Sequence, residues 1–277
     1  LIKRWKSLYE AGPLLKMLKK TFGEDTDMTL DNGKFKCLLL VVTMNRTTDS
    51  PWPVSNNPLA KYNDLNRPDC NAKIKLYQLV RASTAAPVYF PPEVLQWDPK
   101  DANKTFVFVD GGVTPYNNPA FLLYRMATQP QYNLNWKTGE DKMLIVSVGT
   151  GAAPETGEYR NLVDTATNIP TNLMYAMQVD QNVNCRTVGR CTFGHPIDRE
   201  LGDMISNKPL SVNTGKDFLY VRYNVELTKT GLERFGITNI NPEKIRKMDS
   251  VKNIKQLKLV GEAASVQVSL EHFGTFI

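Results

Sequence analysis

Histidine is nearly missing from this sequence: His195 and His272 are the only two in 277 residues. A Ser-His-Asp triad needs a histidine as its base. His272, in the amphipathic stretch "LEHFG", reads as structural, and His195, in the loop "FGHPID", has no supporting signal around it. Cysteine is also scarce. Cys37, Cys70, Cys185 and Cys191 include no C-x2-C pair, so with two histidines no zinc set assembles and no metal site is expected. Four cysteines in a chain of this size make no disulfide framework, and they read as reduced thiols. The longest apolar run, "CLLLVV" from Cys37 to Val42, is far short of the ~20 residues that a membrane-spanning helix needs. No signal peptide is visible. These absences point to a cytoplasmic protein or one peripheral to a membrane. Internal repeats and low-complexity linkers are absent as well, so a single domain over residues 1–277 is expected.

What is present is ordinary for a folded chain. Apolar residues make up 42% and charged residues 22%, enough to build a core without staples. The net charge is +6, which permits weak attraction to an anionic surface. No array of aromatics offers base stacking, so nucleic acid is not an expected partner. Lysines recur at helical spacing in "KMLKK" and in "KIRKMDSVKNIKQLKLV", and "KRWK" stands at residues 3–6. Solvated helix faces account for them, with contact to an anionic membrane surface as the functional alternative.

Buried strands alternate with helical patterns. "GPLLKMLKKTFG" (Gly12 to Gly23) predicts an amphipathic helix that Gly23 stops, and "KCLLLVVTMN" predicts a buried strand. Residues 45–70, rich in proline and asparagine, predict one long loop. Ile74, Leu76, Tyr77, Leu79 and Val80 form a helix face that ends before Pro87. "NNPAFLLYRMAT" predicts a helix capped by Asn118 with Pro119 in its first position. "KMLIVSVGTG" predicts a buried strand. "NLVDTATNIPTNLMYAMQVDQNV" predicts helix on both sides of Pro170, and "KDFLYVRYNVEL" a strand near an edge. From Pro242 to Phe273 the pattern is helical with a joint at Gly261. The order implies an α/β sandwich with a mostly parallel sheet.

The segment "FVFVDGGVTPYNNPA" carries the chemistry. In open α/β sheets, ligands bind at the carboxyl ends of strands. Asp110 stands at that end of "FVFV", and Gly111 and Gly112 allow a sharp turn and leave room beside the carboxylate. The alternative is a plain strand-to-loop turn. "SVGTGAAP" lacks the Lys and Ser/Thr of a P-loop and the third glycine of a dinucleotide fingerprint, so it reads as a strand-to-helix connection. No serine lies in G-x-S-x-G, the elbow that carries the nucleophile of an α/β hydrolase.

Three separated stretches resemble one family. "RASTAAPVYFPP" (Arg81 to Pro92) is similar to the Ala/Ser-rich block of patatin-like phospholipases. "VDGGVTPYNNPA" (Val109 to Ala120) resembles their Asp-Gly-Gly block, and "LIVSVGTG" (Leu144 to Gly151) the strand and turn that follow. "TTDSPWPVSNNP" is similar to a segment of bacterial members. The resemblance covers about residues 8 to 151, with 152–277 as the rest of the same domain. It implies a three-layer α/β/α fold, incomplete on its amino-terminal side, and hydrolysis of acyl esters in phospholipids or related lipids by a Ser-Asp dyad without cofactor. By this resemblance Asp110 is the dyad base, Gly111 and Gly112 shape its turn, and Arg81 with residues 82–86 packs beneath the site. The nucleophilic serine and the Gly-rich oxyanion loop have no counterpart in these residues. With Leu1 in place of a Met, the expectation is an amino-terminally truncated chain that is inactive by itself. Two other readings stand beside it: a non-catalytic patatin-like protein that binds lipid or protein, and a nucleotide-binding α/β protein using "SVGTG".

Overall fold

The apolar run ending in "LVVTMN" forms strand β1 (Leu40–Asn45) in the computed structural model. The structure describes residues 7–98, 100–153, 162–198, 200–208, 215–247, 249 and 251–277; the basic stretch at 3–6 lies outside them. The chain divides into two compact units, Leu1–Trp136 and Lys137–Ile277.

In the first unit, β1 joins β2 (Ser50–Ser55), β3 (Glu93–Gln96) and β4 (Thr105–Asp110) in the order β2-β1-β4-β3. All three pairings are antiparallel. Strand alternation sends Val41, Val54, Phe106 and Phe108 to one face and Leu40 and Val42 to the other. The first face is covered by helices α1 (Ala11–Phe22) and α2 (Leu76–Ser83), which contribute Phe22, Leu76, Leu79 and Ala82. Trp52, Trp97, Phe106 and Phe108 cluster there, with ring centroids 5.2 Å apart for Trp97 and Phe108 and an edge-on contact of 6.0 Å between Trp52 and Phe108. The second face is covered by α3 (Ala120–Thr128) through Leu122 and Met126. Helices on both faces of a sheet give the expected layering within this unit.

Residues 45–70 need correction. The loop expected there contains β2, in spite of Pro51 and Pro53. The physical reason is the strand's position at the sheet edge. Two prolines two residues apart put both ring nitrogens on the same side, and an edge strand has one side that requires no donors. Trp52 and Val54 keep the pairing with Thr43 and Val41. The hairpin turn is built by Asn45, whose side-chain oxygen accepts from Thr47 N at 2.9 Å and Thr48 N at 3.2 Å. Helix α1 stops at Gly23 with φ 54°, as expected. Helix α3 begins at Ala120, one residue later than expected, and Asn118 Oδ1 still accepts the Ala120 N–H at 3.3 Å.

In the second unit, β5 (Leu144–Val148), β6 (Arg190–Phe193) and β7 (Leu219–Tyr223) form a parallel sheet in the order β5-β7-β6. Parallel strands need long connections. Helix α4 (Leu162–Val188) supplies one between β5 and β6, continuing across Pro170. The α/β class therefore holds, while parallel pairing is confined, among the described residues, to this sheet. Strand β7, expected near an edge, is central. Its alternation of Tyr220 and Arg222 with apolar residues suggested one wet face, yet Leu219 to Val221 are all buried. Helices α5 (Lys229–Glu233), α6 (Pro242–Ile245) and α7 (Ile254–Ser265) pack a separate core of Leu232, Ile245 and Val260. The joint expected at Gly261 falls before α7 instead, and Gly261 sits inside that helix with open space around it. No helix of the described residues is long and apolar enough to cross a membrane.

Leu79 is 1% exposed in the core between α2 and the first sheet, whereas Val94 on edge strand β3 is 59% exposed. Leu79→Ala should cost about 2–5 kcal/mol in urea unfolding. Val94→Ala should stay within about 0.5 kcal/mol.

Candidate active site

Strand β4 delivers Asp110 to the place where its sheet ends. The last rung toward β1 is Thr43 opposite Asp110, and β3 begins only at Glu93 opposite Phe108. The Asp110 N–H therefore finds its acceptor outside the sheet, in the Ala85 carbonyl at 3.1 Å. The alternation of Phe106 and Phe108 continues into Asp110, on the side of α2. Its carboxylate turns back over the following residues and accepts the Gly112 N–H at 2.7 Å.

Gly111 is buried against β1. A Cβ at this position would overlap the carbonyl oxygen of Val42. The same carbonyl accepts the hydroxyl of Ser83 at 2.7 Å. Thr114 closes the turn from the other end: its hydroxyl donates to Gly111 O at 2.6 Å and accepts from Tyr116 N at 3.1 Å. Residues 82–86 thus lie beside the turn, through Ser83 and Ala85. Arg81 is fully buried below them. Its Nη2 donates to Pro91 O at 2.6 Å, its Nε lies 3.8 Å from Glu93, and its guanidinium covers the Phe90 ring at 5.6 Å. It ties the end of α2 to the segment leading into β3, a structural task that a lone arginine in a helical pattern does not announce.

Burial pushes the Asp110 carboxyl above its ordinary pKa, and the Gly112 N–H pulls it partly back. A carboxylate desolvated in this way is a stronger base than one in water. Among the described residues no serine hydroxyl reaches Asp110, whose carboxylate accepts the Gly112 N–H alone.

The other sequence candidates lie in the second unit. His272 Nδ1 is 2.8 Å from the Tyr223 hydroxyl, its ring stacks on Phe193 at 4.2 Å, and it closes a capping box with Ser269. Those contacts make it structural. His195 lines a cavity of about 300 Å³. In the "SVGTG" turn, Gly149 N donates to Tyr223 O at 2.7 Å, Gly151 N to Asn224 Oδ1 at 3.0 Å and Ala152 N to Val225 O at 2.9 Å. Two of these amides continue the backbone pairing beyond β5 and the third is met by a side chain, so they do not cradle a phosphate, which counts against the nucleotide-binding reading.

Residues 1–124 match the family model for patatin-like phospholipases. The patatin-like segment includes Asp110, Gly111 and Gly112 and all four strands of the first sheet. The chain is also similar to Patatin-15 of Solanum tuberosum, 30% identical over 182 residues, which are 61% of this chain and 42% of that protein. Patatin-17 of Solanum cardiophyllum is 31% identical over 136 residues, 45% of this chain and 34% of that protein. Patatin-2-Kuras 4 of Solanum tuberosum is 30% identical over 132 residues, 45% and 35% of the two chains. The chain thus spans less than half the length of these relatives. Both comparisons thus find the chain similar to patatins, and the family match falls on its first 124 residues.

Two substitutions test this geometry. Gly111→Ala should cost about 1–3 kcal/mol in urea unfolding, because β1 must move to admit the methyl group. Asp110→Asn should have the opposite sign. The raised pKa means that the folded chain holds the proton more tightly than the unfolded chain, whose ordinary value is near 3.8. Stability is therefore lost as pH rises from that value through the folded pKa. Asp110→Asn should melt above the parent at pH 7, and the gap should close when melting is repeated below the ordinary carboxyl value.

Proposed function

We propose that this chain is part of a patatin-type lipid acyl hydrolase in which Asp110 is the general base of a Ser-Asp dyad. The observation that carries the reading is the half-buried Asp110 carboxylate at the end of β4, on a Gly-Gly turn inside the patatin-like segment. The base takes the proton of a serine hydroxyl as that oxygen attacks the ester carbonyl. The acyl group passes to the serine, the alcohol leaves with a proton, and water then releases the fatty acid. Gly111 and Gly112 keep the space beside the carboxylate free of side chains. The reaction needs a serine on a nucleophile elbow, and none of the 277 residues supplies one in G-x-S-x-G. The polypeptide by itself is therefore inactive in this reading.

The substrate class is a phospholipid or another acyl-ester lipid. Peripheral contact with an anionic membrane surface belongs to the same proposal. It rests on the exposed Lys16, Lys19 and Lys20 of α1 and Lys255 and Lys258 of α7. The resemblance of "TTDSPWPVSNNP" to bacterial members supports a bacterial-type member as part of the same proposal. A second reading, a non-catalytic patatin-like binding protein, is favoured by the single contact that Asp110 makes through its carboxylate.

Ester hydrolysis by the 277-residue chain and by a version extended with its upstream coding sequence separates these readings. The dyad predicts activity only in the extended chain, and a loss of about 10²–10⁴-fold in kcat for Asp110→Asn. Activity in the 277-residue chain that Asp110→Asn abolishes would sink the missing-serine reading. An inactive extended chain would favour the binding protein.

A further inference from the structure

A separate site lies within the second unit. Among its described residues, two arginines are almost completely buried and are treated differently. Arg186, 2% exposed on α4, has a full set of partners: the Asp203 carboxylate, the His195 carbonyl at 2.6 Å and Asn182 Oδ1 at 3.4 Å. Arg222, 8% exposed on the central strand β7, has none of this kind. Its Nη1 donates to the Ser147 hydroxyl at 2.7 Å, and no carboxylate among the described residues pairs with it. A buried guanidinium is costly unless its charge and its donors are met.

Arg222 lines the cavity of about 300 Å³ together with Tyr175, Asn182, His195, Glu226 and Arg234. That volume is at the small end of ligand pockets. The wall carries two arginines and a single carboxylate, Glu226, which stands 3.5 Å from Arg234. Asn182 gives its carbonyl oxygen to Arg186, which leaves its amide N–H groups for a guest. The lining is thus rich in donors, net positive and only partly compensated. Planar guanidinium groups bind phosphate oxygens by paired hydrogen bonds.

We infer that this cavity binds a phosphate group, either free or carried as a monoester on a small polar molecule, with Arg222 at its base and Arg234 at its mouth. The bound oxyanion supplies the countercharge that the fold withholds from Arg222. Its size excludes an intact two-chain lipid but admits a headgroup-sized phosphate. The site does not depend on Asp110 or on the hydrolase reading.

Titration calorimetry of the 277-residue chain at low salt, with inorganic phosphate in one arm and glycerol phosphate in the other, tests it. The expected result is saturable binding at millimolar Kd or tighter. Binding equal in both arms marks free phosphate as sufficient, and binding of the ester alone marks the carried form; either supports the site. The imidazole proton signals of His195, identified by their loss in His195→Gln, should shift on binding while those of His272 stay in place. Arg222→Gln should weaken binding about tenfold or more. Arg234→Gln, at a largely exposed side chain, should weaken it severalfold with the melting temperature unchanged, and it decides the matter if Arg222→Gln fails to fold. Absence of saturable heat from both ligands at about 10 mM, or affinity untouched by Arg234→Gln and by a folded Arg222→Gln, overturns the inference.

Discussion

The contact of Gly111 with the Val42 carbonyl is the constraint on which the Asp110 site depends. A backbone can pass this close to another only where a side chain is missing. Because Gly111 fits, β4 can end against β1 and turn at once, and Asp110 is left at the sheet's end with half its surface covered. Everything else at the turn follows from that arrest. The Asp110 N–H has run out of strands and takes the Ala85 carbonyl, and Ser83 shares the Val42 carbonyl. The small residues after Arg81 are needed because the chain must lie close to the turn to make those bonds.

The rigidity behind this turn comes from the first unit's core. Trp52, on a strand that contains two prolines, meets Trp97, Phe106 and Phe108 over the face where α2 packs. Aromatic surface of that size outweighs the weak strand propensity of a Pro-rich segment. Arg81 then fastens the far end of α2 through Pro91 and Glu93. Burial, without a charged neighbour, is what raises the pKa of this single Asp.

The second unit meets a different demand. Its central strand carries Arg222 into the interior, and Lys216, 3% exposed, stands just ahead of it. Lys216 satisfies its ammonium with the Arg186 and Thr187 carbonyls at 3.1 and 2.8 Å. Arg186 uses Asp203. Among the described residues, Arg222 is the buried cation that lines a cavity, with its Nη1 on the Ser147 hydroxyl.

Much of the molecule was legible because the signals are local. Gly23 stops α1, Asn118 marks the start of α3 to within a residue, and apolar runs mark β1, β4 and β5. The Asp-Gly-Gly turn was legible for the same reason: a strand, a carboxylate and two residues without side chains are adjacent in the chain. Strands β2, β3 and β6 were not, and neither was the central place of β7. An edge position excuses prolines, and a central position hides Arg222, but both are properties of neighbours distant in sequence. The sequence by itself determined where the carboxylate stands along the chain. Only the tertiary structure decided that its amide is met by Ala85, that Gly111 has no room for a methyl group, and that Arg222 faces a cavity, because each depends on contacts that close loops of dozens of residues.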